Sequence, residues 1–588
     1  MTSLNSPISR TGRASRMCGI FGLISQEFVS SSDVLKSLKR LEYRGYDSYG
    51  IVTDSGLFEK DIGEIKLTSS NNCNIAISQT RWATHGGVTK ENAHPHHDCT
   101  GNVLIVHNGI IENYMDIKEN LQTLGHKFHS ETDSEVIAHY FEEGIKAQNV
   151  EETISNFFNE AKGTFSVLLF IKGGDRLYAF KRDSPLAIGI GNKGFFIASD
   201  PYAFSQLTQD VVFLEDDEYV VLTKSKFSIF DKTGKELFRE KNKIELQKEE
   251  SRGKYEHFML KEIHEQPESA EKLLKSLETQ QKENLLAIAD AIKKSQKTIF
   301  VASGTSYYAS LLGVYFLKKA GIESQAMIAS EFKDYANCNE ALVIALSQSG
   351  ETMDVIDALK HAKQRSARIA SFVNVSYSTI QRMSDLSLQT EAGQEICVAS
   401  TKSFSNQIIL LLTIAKELGY KIDLRKIAGE IRSVFALENG IRTLAHGLKD
   451  KHDIYIIGRG LSYPVSREIA LKLKEISYIH AEGMMGGELK HGTLALIEKE
   501  TPVIALIDNN ESIVSNVREA QARGADIIAI TNRKERLFRE EVRLQAESDA
   551  SFAILAAIVG QLLAYYIAKE KGLPIDKPRN LAKSVTVK

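Results

Sequence analysis

An internal repeat is the feature that most restricts how this chain can fold. TIFVASGTSYYAS, starting at Thr298, is echoed by DIYIIGRGLSYPVS at Asp453, and ALVIALSQSGETMDVI at Ala341 is echoed by TPVIALIDNNESIVSN at Thr501. The matching points lie about 155–160 residues apart, too far for a solenoid repeat and close to the size of one domain. Each copy alternates short buried strands with long helices, a pattern typical of a parallel doubly wound sheet. The sequence therefore predicts two tandem α/β domains.

The first part of the chain has a different pattern. From Cys18 to about residue 231, short β-branched and aromatic runs are broken by Gly and Asn, and FSVLLFIKGGDRLYAFKRD predicts a hairpin at its Gly-Gly. This part is expected to form a β-rich α+β layer domain. A charged stretch, KTGKELFREKNKIELQKEESRGKYEH, follows it and predicts a linker.

These patterns divide the 588 residues, which are too many for one hydrophobic core, into several parts. We predict an extension over 1–17, a first domain over 18–240, a linker over 241–275, one α/β domain over 276–435, a second over 436–568 and a tail over 569–588.

Charge and cysteine content exclude several classes of protein. Lys and Arg number 73 against 76 acidic residues, so the net charge of −3 provides no overall field for nucleic acid or for an anionic membrane. The five cysteines are few and widely spaced, which favours neither a disulfide framework nor a zinc cluster and indicates a cytoplasmic protein. The apolar stretch 552–568 is shorter than the roughly 20 residues of a membrane span and predicts a buried helix.

The first sixteen residues, MTSLNSPISRTGRASR, contain three arginines and no acidic residue. This composition is shared by transit peptides and by disordered tails, and it lacks the apolar core of a secretory signal. A third interpretation is that translation begins at Met17. The choice affects Cys18, because a cysteine at the amino terminus has its own α-amino group available as a base. Otherwise Cys18 is a buried cysteine in an opening strand.

A short polar segment, TRWATHGGVTKENAHPHH, is a candidate site for a small zwitterion. Arg81 offers forked donors to a carboxylate, and Trp82, Thr84 and His85 lie beside it. Trp82 is the only tryptophan of the chain and could equally fill a core.

The three histidines of that segment, at positions 94, 96 and 97, raise the question of a metal site. They bracket a proline and have no accompanying acidic or thiol motif, so we predict no metal.

Two further motifs could serve the same site. VLIVHNGIIENY predicts a strand that ends in a turn at Asn108 and Gly109, where a side-chain amide and a backbone N–H could face one oxyanion, although Asn-Gly is usually only a hairpin turn. Asp133, in SETDSEVIAH, precedes a helix, where it could cap the helix or hold an ammonium group.

Two strand-to-helix turns in the first α/β copy are candidate anion sites. In VASGTSYYAS, Thr305 and Ser306 lie where backbone amides and the helix dipole favour an anion, and SQSGET after VIAL repeats that arrangement. Each turn alone is common, but two in one domain favour phosphate binding. The chain contains neither a P-loop nor a dinucleotide fingerprint.

The order of MCGIFG, LEYRGYDS, TRWATHG, NAHP, HNG and SETDSE resembles that of class II glutamine amidotransferases. The resemblance implies an N-terminal-nucleophile (αββα) glutaminase domain with Cys18 as nucleophile. By the same resemblance, Arg81 and Asp133 bind the carboxylate and amine of glutamine, Asn108 and Gly109 form the oxyanion hole, Thr84 and His85 line the pocket, and Trp82 gates an ammonia channel. The family's cysteine directly follows the initiator methionine, so this function requires the loss of residues 1–17.

The duplicated turns resemble sugar isomerase (SIS) domains, and CVASTKSF, LKLKEISYIHAEG, GELKHG and PRNLAKSVTV narrow the resemblance to the glucosamine-6-phosphate synthase family over essentially residues 18–588. By motif, the phosphate-binding residues are Thr305, Ser306, Ser347, Gln348, Ser349 and Thr352. The sugar-binding residues are Val398, Ala399 and Ser400.

The resemblance also assigns the proton-transfer groups. His491 would open the sugar ring, Glu475 would move the proton between C1 and C2 with Lys472 one helical turn away, and Lys583 would form a Schiff base. Without the resemblance, Lys472, Lys474 and Glu475 would be a solvated helix face, and Lys583 would belong to a fraying tail.

The implied reaction is the hydrolysis of glutamine and the transfer of its ammonia to fructose 6-phosphate, giving glucosamine 6-phosphate and glutamate without a cofactor, as in the first step of UDP-GlcNAc synthesis. A homodimer is expected by resemblance alone. The alternatives are an amidotransferase for another ketose phosphate and a non-catalytic sugar-phosphate-binding regulator.

Overall fold

The computed structural model describes residues 18–66, 71–83, 85–244, 251–533, 538 and 540–585. The chain divides into two compact units. The first contains the residues up to Glu249 together with those from Ser584 onward, and the second spans Glu250–Lys583. The predicted domain boundaries remain a prediction.

Two antiparallel sheets form the centre of the first unit. The first sheet has the order β15 (Asn242–Lys243), β11 (Asp210–Phe213), β9 (Ala187–Ile190), β10 (Gly194–Ala198), β1 (Gly19–Ser30), β4 (Asn72–Arg81), β2 (Ser48–Thr53) and β3 (Phe58–Ile62). The second has the order β14 (Glu236–Leu237), β13 (Phe227–Asp231), β12 (Glu218–Leu222), β8 (Leu177–Arg182), β7 (Gly163–Ile171), β6 (Val103–Ile111) and β5 (His96–His97). The predicted hairpin is the antiparallel pair β7–β8.

Helices cover the outer faces of these sheets. They are α1 (Ser31–Lys39), α2 (Tyr114–Thr123), α3 (Glu135–Ala147) and α4 (Val150–Glu160), with a 3-10 turn at Pro201–Phe204. Alternating strand residues such as Ile24 and Leu168 form one core between the sheets. A second core joins the other face of β6 and β7 to α3 and α4, and a third joins α1 to β1 and β4. The result is the predicted αββα layering.

The second unit contains two parallel sheets of the same design. The first has the order β17 (Gln325–Ile328), β16 (Thr298–Ala302), β18 (Leu342–Ser347), β19 (Arg368–Val373) and β20 (Leu386–Gln389). The second has the order β22 (His480–Met485), β21 (Asp453–Gly458), β23 (Pro502–Ile507), β24 (Asp526–Thr531) and β25 (Glu540–Arg543). The repeated segments provide the two central strands of each sheet, so the predicted duplication is confirmed.

The helices of this unit are α5 (Phe258–His264), α6 (Gln266–Glu278), α7 (Lys282–Lys294), α8 (Gly304–Lys319), α9 (Phe332–Tyr335), α10 (Met353–Lys363), α11 (Thr379–Arg382), α12 (Lys402–Glu417), α13 (Ile427–Phe435), α14 (Glu438–Leu448), α15 (Ser462–Lys472), α16 (Glu511–Gln521) and α17 (Asp549–Glu570). Short 3-10 turns lie at Ala329–Glu331, Gly486–His491 and Thr493–Leu496, and a π-helical turn at Leu473–Ser477.

Helix α17 is the longest and most apolar helix in the described part of the chain. Its length and composition would suit a membrane span, but its apolar window is entirely buried inside the second unit. Ser548 caps it reciprocally with Ser551, and residues 550–568 all belong to the buried interior. The predicted buried helix over 552–568 is therefore confirmed.

Candidate active sites

The backbone of Cys18 is fixed at the point where β1 begins. The amide of Gly19 donates to Thr80 Oγ1 of β4 at 3.1 Å, and Asn108 Nδ2 of β6 donates to the carbonyl of Cys18 at 2.8 Å. Cys18 is thereby tied to one strand of each sheet of the first unit.

The thiol of Cys18 is partly buried beside the end of β4. The Trp82 amide donates to Cys18 Sγ at 3.3 Å. Burial raises the pKa of the thiol to about 11, and the carboxylates of Asp133 and Asp47 add to this, while the Trp82 N–H and Arg81 oppose it. The thiol is thus protonated at neutral pH, and it needs a base before it can act as a nucleophile.

Asn108 and Gly109 lie within a strand, so the predicted turn at this position is wrong. Strand β6 continues to Ile111, and Gly109 pairs with Phe165 of β7. The chain follows this path because Gly109 has φ +125°, and a Cβ there would lie 2.0 Å from the Thr164 carbonyl oxygen. Gln79 Nε2 lies 3.3 Å from Asn108 Oδ1, which leaves the Asn108 amide directed at Cys18.

Asp133 does not cap α3, so that interpretation is also wrong. Ser134 occupies the cap position, and no side chain accepts a capping hydrogen bond there. Asp133 Oδ2 accepts from the Ile111 amide at 2.8 Å, and Oδ1 lies 3.9 Å from His85 Nδ1. Its carboxylate is buried and placed at the end of β6, where it could hold an ammonium group.

Arg81 organises the polar segment predicted to bind a zwitterion. Its guanidinium donates to the carbonyls of His85 and Gly87, the second at 3.1 Å. The Trp82 ring packs edge-on against Tyr46 at a centroid distance of 5.7 Å, a contact that fits both a packing and a gating role. Thr84 lies outside the described residues.

The three histidines at 94, 96 and 97 are used in hydrogen bonds. His94 Nδ1 accepts from the His107 amide at 3.3 Å, and His96 Nε2 lies 3.2 Å from Thr132 Oγ1. Burial holds the pKa of His94 and of His96 well below the usual value. Among the described residues these three form no group of converging ligands.

One residue of this site was missed. Asp47 Oδ2 accepts from the Ala83 amide at 3.1 Å and thereby fixes the chain next to Trp82. Asp47 lies in LEYRGYDS, a motif that carried the resemblance, so its position in the sequence could have identified it.

In the second unit, both predicted anion turns lie at the carboxyl edge of adjacent parallel strands. Strand β16 leads into α8 and β18 into α10, and neither helix receives a side-chain cap. Ser347 Oγ accepts from the Gly350 amide at 3.0 Å and lies 3.1 Å from Thr352 Oγ1. The amides at both helix N-termini can therefore face one anion, with Thr305, Ser306, Gln348 and Ser349 in the same turns.

The second copy of the fold has a carboxylate where the first has an amide. Asp508 follows β23 as Gln348 follows β18, and its Oδ2 accepts from Ser462 Oγ at 2.9 Å. A buried carboxylate at this edge disfavours a second phosphate.

Lys472, Glu468 and Glu475 form a buried charged cluster against the first turn. Lys472 Nζ lies 3.3 Å from Glu468 Oε1 and 2.6 Å from Glu475 Oε2, and it donates to Thr305 Oγ1 at 3.2 Å. The side chain of Lys472 is only 1% exposed. The interpretation as a solvated helix face is therefore wrong for Lys472 and Glu475, because α15 packs against α8, whereas Lys474 is exposed.

The electrostatics of this cluster suit proton transfer. Burial, together with Glu475, raises the pKa of Glu468 to about 7, while Lys472 opposes the shift. Burial acts to lower the pKa of Lys472, but the two carboxylates outweigh it and raise the pKa. Glu475 lies in the π-helical turn Leu473–Ser477, a kind of distortion often found at functional sites.

Lys583 is held in place, so the prediction of a fraying tail is wrong at this residue. Its Nζ lies 2.6 Å from Glu395 Oε2, and both side chains are buried. Glu395 also accepts from the Thr401 amide and from Ser403 Oγ, each at 2.8 Å. Although burial acts to raise it, Lys583 and these donors hold the pKa of Glu395 at about 2.

The predicted sugar-binding residues lie in the loop between Glu395 and Thr401. This loop contains Val398, Ala399 and Ser400, and the Val398 amide donates to the Asp576 carbonyl at 3.1 Å. These three residues therefore follow directly after the segment that contains Glu395, the partner of Lys583.

His491 is the predicted catalytic residue that the structure leaves apart. It ends the 3-10 turn Gly486–His491 and is exposed. In the described part of the chain, no hydrogen bond or ion pair joins it to Lys472, Glu475 or Lys583. Its role remains a prediction.

Glu262 is a buried acid that sequence reasoning missed. Its Oε1 accepts from the amides of Ile396 and Cys397 at 2.6 and 3.1 Å, so it supports the loop that is predicted to bind the sugar. Burial and the neighbouring Glu395 raise its pKa to about 8.

Replacing Glu262 by glutamine is expected to remove a pH dependence of stability. Between the ordinary pKa of glutamate and about 8, the folded state binds the extra proton, so the wild-type protein loses stability as the pH rises through that window. From pH 5 to 8 the wild-type loss should exceed that of Glu262→Gln by roughly 3–4 kcal/mol. Urea unfolding at four pH values measures it, with the exposed Glu271→Gln as control. Parallel pH profiles for the wild type and Glu262→Gln would contradict the assignment.

Comparisons with known proteins agree with this arrangement. Residues 17–245 match the family described as glutamine amidotransferase domain, and residues 291–416 and 447–570 match the family described as SIS domain. Glutamine–fructose-6-phosphate aminotransferases (isomerizing) of Thermococcus kodakarensis and Sulfolobus acidocaldarius are 42% and 39% identical, each over 97% of this chain and 100% of the relative. The chain belongs to the glutamine–fructose-6-phosphate aminotransferase family.

Solved structures agree with the family for the second unit. The C-terminal domain of the glucosamine-fructose-6-phosphate aminotransferase of Francisella tularensis is 34% identical over 56% of this chain and 100% of that chain, with a TM-score of 0.50. A tagatose-6-phosphate ketose/aldose isomerase of Escherichia coli has the same TM-score at 17% identity and covers 55% of this chain and 95% of its own, which shows a shared fold alone. The predicted α+β glutaminase fold followed by SIS domains is thus confirmed for this member of the aminotransferase family.

Proposed function

We propose that this chain hydrolyses glutamine at Cys18 and transfers the ammonia to fructose 6-phosphate, giving glutamate and glucosamine 6-phosphate. The observation that carries the proposal is the buried Lys583–Glu395 pair beside the predicted sugar-binding loop. The pair places a lysine amine beside the loop that is predicted to bind the sugar, and a lysine amine is the group that forms an imine with a ketose carbonyl. Because Glu395 stabilises the ammonium form, Lys583 must lose a proton before it attacks the carbonyl.

The first unit supplies the glutaminase groups. Cys18 Sγ attacks the side-chain carbonyl of glutamine after the α-amino group of a processed chain has taken its proton. The C–N bond then breaks, that proton leaves with the ammonia, and water hydrolyses the resulting thioester to glutamate and the free thiol. The Asn108 amide, together with the Gly109 N–H, stabilises the oxyanion, and Arg81 and Asp133 bind the carboxylate and ammonium groups of glutamine. The high pKa of the thiol supports this scheme, because it makes a neighbouring base necessary.

The second unit supplies the phosphate site. The uncapped amino ends of α8 and α10 and the hydroxyls of their turns donate to the phosphate. The proposed phosphate-binding side chains, besides Thr305, are Ser306, Ser347, Gln348, Ser349 and Thr352. Lys472 Nζ donates a hydrogen bond to Thr305 Oγ1 in the first of these turns. Phosphate binding and proton transfer therefore use neighbouring side chains.

The sugar chemistry needs three proton transfers. His491 opens the ring, Lys583 forms an imine at C2 with loss of water, and ammonia replaces the lysine at that carbon. Glu475 then moves a proton from C1 to C2, and Lys472 stabilises the negative charge that develops between them. Glu468 keeps Lys472 protonated, since the two lie 3.3 Å apart in a buried site.

The direct test is a product assay with the purified full chain. We expect glucosamine 6-phosphate from glutamine or ammonia with fructose 6-phosphate, and a higher kcat/KM than with other ketose phosphates. If another ketose phosphate gives the higher kcat/KM, the chain is still an amidotransferase, but its proposed substrate is replaced by that ketose phosphate. If a correctly processed chain makes no product with excess ammonia, the enzyme proposal fails and a binding regulator takes its place.

Replacing Glu475 by glutamine is expected to lower amino-sugar formation by about 10²–10⁴-fold, because general acid–base transfer contributes about that factor. Glutamine hydrolysis should persist, since Cys18 is unaffected. Glutamate release measures glutamine hydrolysis. Amino-sugar formation and the exchange of solvent hydrogen into the sugar measure the second activity. The exposed Glu482→Gln is the control. Equal losses of both activities would show that Glu475 has a structural role.

Two further expectations rest on the family alone. The assembly is proposed to be a homodimer and its location the cytoplasm. Sedimentation of the purified chain tests the first, and fractionation of cells tests the second.

A further inference from the structure

Four potential metal ligands meet beside α3 in the first unit, with their ligand atoms all within 4.8 Å of one another. They are Cys99 from the turn between β5 and β6, His126 from the loop before α3, and His139 and Glu142 from α3 itself. None of them has a role in the proposed glutamine site. They form the one such group among the described residues.

Their ligand atoms face a common point. Cys99 Sγ lies 3.6 Å from His126 Nδ1 and 3.5 Å from His139 Nδ1, and the two Nδ1 atoms lie 3.2 Å apart. Glu142 Oε2 lies 3.0 Å from His126 Nδ1 and 3.4 Å from His139 Nδ1.

These separations match a tetrahedral zinc site. Zinc binds nitrogen at about 2.0–2.1 Å, oxygen at about 2.0–2.2 Å and sulfur at about 2.3 Å. At the tetrahedral angle, those bond lengths place neighbouring ligand atoms about 3.3–3.6 Å apart. Three of the five separations fall in this range, and the other two, at 3.0 and 3.2 Å, lie just below it. A hydrogen-bonded cluster would instead have one short donor–acceptor contact for each proton, and it would not bring five pairs of atoms to nearly one distance.

The outer nitrogens of both histidines face carboxylates. His126 Nε2 lies 2.7 Å from Glu143 Oε1, and His139 Nε2 lies 3.6 Å from Glu135 Oε1. The short contact with Glu143 fixes the His126 tautomer in which Nδ1 has its lone pair free. Glu135 lies too far from His139 Nε2 for a hydrogen bond and favours the same tautomer of His139 only through its charge. Two lone pairs, a thiol and a carboxylate then face each other, an arrangement that a cation stabilises.

We propose that Cys99, His126, His139 and Glu142 bind one zinc ion. Thiolate and imidazole favour zinc over magnesium or calcium, and four protein ligands without an open position indicate a structural site. Cys99 is exposed, which gives the ion a path of entry. The sequence predicted no zinc cluster because the ligands come from three separate segments, and only His139 and Glu142 have a helical spacing.

The position of the site connects it to the glutamine pocket. Asp133 lies between His126 and His139 in the chain, so the metal closes a loop that contains the proposed ammonium-binding carboxylate. Loss of the ion should therefore raise the KM for glutamine several-fold and leave the ammonia-dependent reaction unchanged. This readout rests on the proposed function, whereas metal binding does not.

The test measures metal in the full-length protein. After incubation with ZnCl₂ and gel filtration, elemental analysis should find about one zinc per chain, and about none in Cys99→Ser/His139→Gln. The exposed His129→Gln is the matched control and should keep the ion. Loading with CoCl₂ should give intense visible bands of tetrahedral cobalt and a thiolate charge-transfer band that Cys99→Ser loses.

The cobalt spectrum of the unaltered chain keeps the proposal testable even if the double variant does not fold. Octahedral cobalt bands, zinc below about a tenth of an equivalent, or equal zinc in the wild type and a folded double variant would each overturn the proposal. Full zinc binding with an unchanged KM for glutamine in the variant would retain the metal site and reject its effect on Asp133.

Discussion

Replacing Lys583 by arginine is expected to abolish the formation of glucosamine 6-phosphate while glutamine hydrolysis continues. Arginine can keep the ion pair with Glu395, which is 2.6 Å from Lys583 Nζ, but it offers no amine that could become an imine. The expected loss is about 10³-fold or more, because the covalent route and one proton transfer disappear together. Quantifying glucosamine 6-phosphate and glutamate in one reaction separates the two activities.

The arginine variant is preferable to a neutral one. Removing the charge altogether, as in Lys583→Met, would leave Glu395 buried without its partner, at a cost of about 3–5 kcal/mol. Lys569→Met, which breaks the more exposed pair with Glu256, serves as the control. If Lys583→Arg keeps at least a tenth of the wild-type rate of sugar amination, the imine proposal is wrong and Lys583 has an electrostatic role.

Replacing Cys18 by alanine should remove glutamine-dependent synthesis and leave ammonia-dependent synthesis intact. Loss of a catalytic nucleophile lowers rates by about 10³–10⁶-fold, whereas free ammonia needs no thiol. The buried Cys73→Ala, in strand β4, is the control for a cysteine change in the same unit. Retained glutaminase activity in Cys18→Ala would reject the nucleophile assignment.

A second comparison concerns the base for Cys18. A chain that begins at Cys18 should hydrolyse glutamine, and one that keeps residues 1–17 should not, because burial raises the pKa of the thiol to about 11 and an α-amine is needed to remove its proton. Intact mass and N-terminal sequencing define each sample. Equal glutaminase rates in the two samples would mean that another group is the base.

Much of the fold followed from patterns in the sequence. The repeat at Thr298 and Asp453 marks equivalent strands, β16 and β21, because duplicated sequences bury the same positions. The hairpin of β7 and β8 followed from alternation around Gly-Gly. Asn108 and Gly109 misled the prediction, since glycine permits a positive φ inside a strand as well as in a turn.

The buried acids could not be predicted in this way. The buried acids are Glu262, Glu395 and Glu468, which lie in helices or loops. The spacing of apolar residues in the sequence does not distinguish a buried carboxylate from an exposed one. Each becomes recognisable only when residues more than one hundred positions away provide its partners, as Lys583 does for Glu395. For the same reason Lys583 was assigned from resemblance and not from spacing.

The Asp508 carboxylate in the second copy is expected to affect how many sugar molecules one chain can bind. Both sheets have the same strand order, yet a negative side chain follows β23 at the edge where the first sheet has its hydroxyl-rich turn. Repulsion between Asp508 and a phosphate dianion is expected to limit each chain to a single equivalent of phosphosugar. The duplication thus gives unequal halves, of which one is proposed to hold the phosphate and the other, through α15, contributes Glu468 and Lys472.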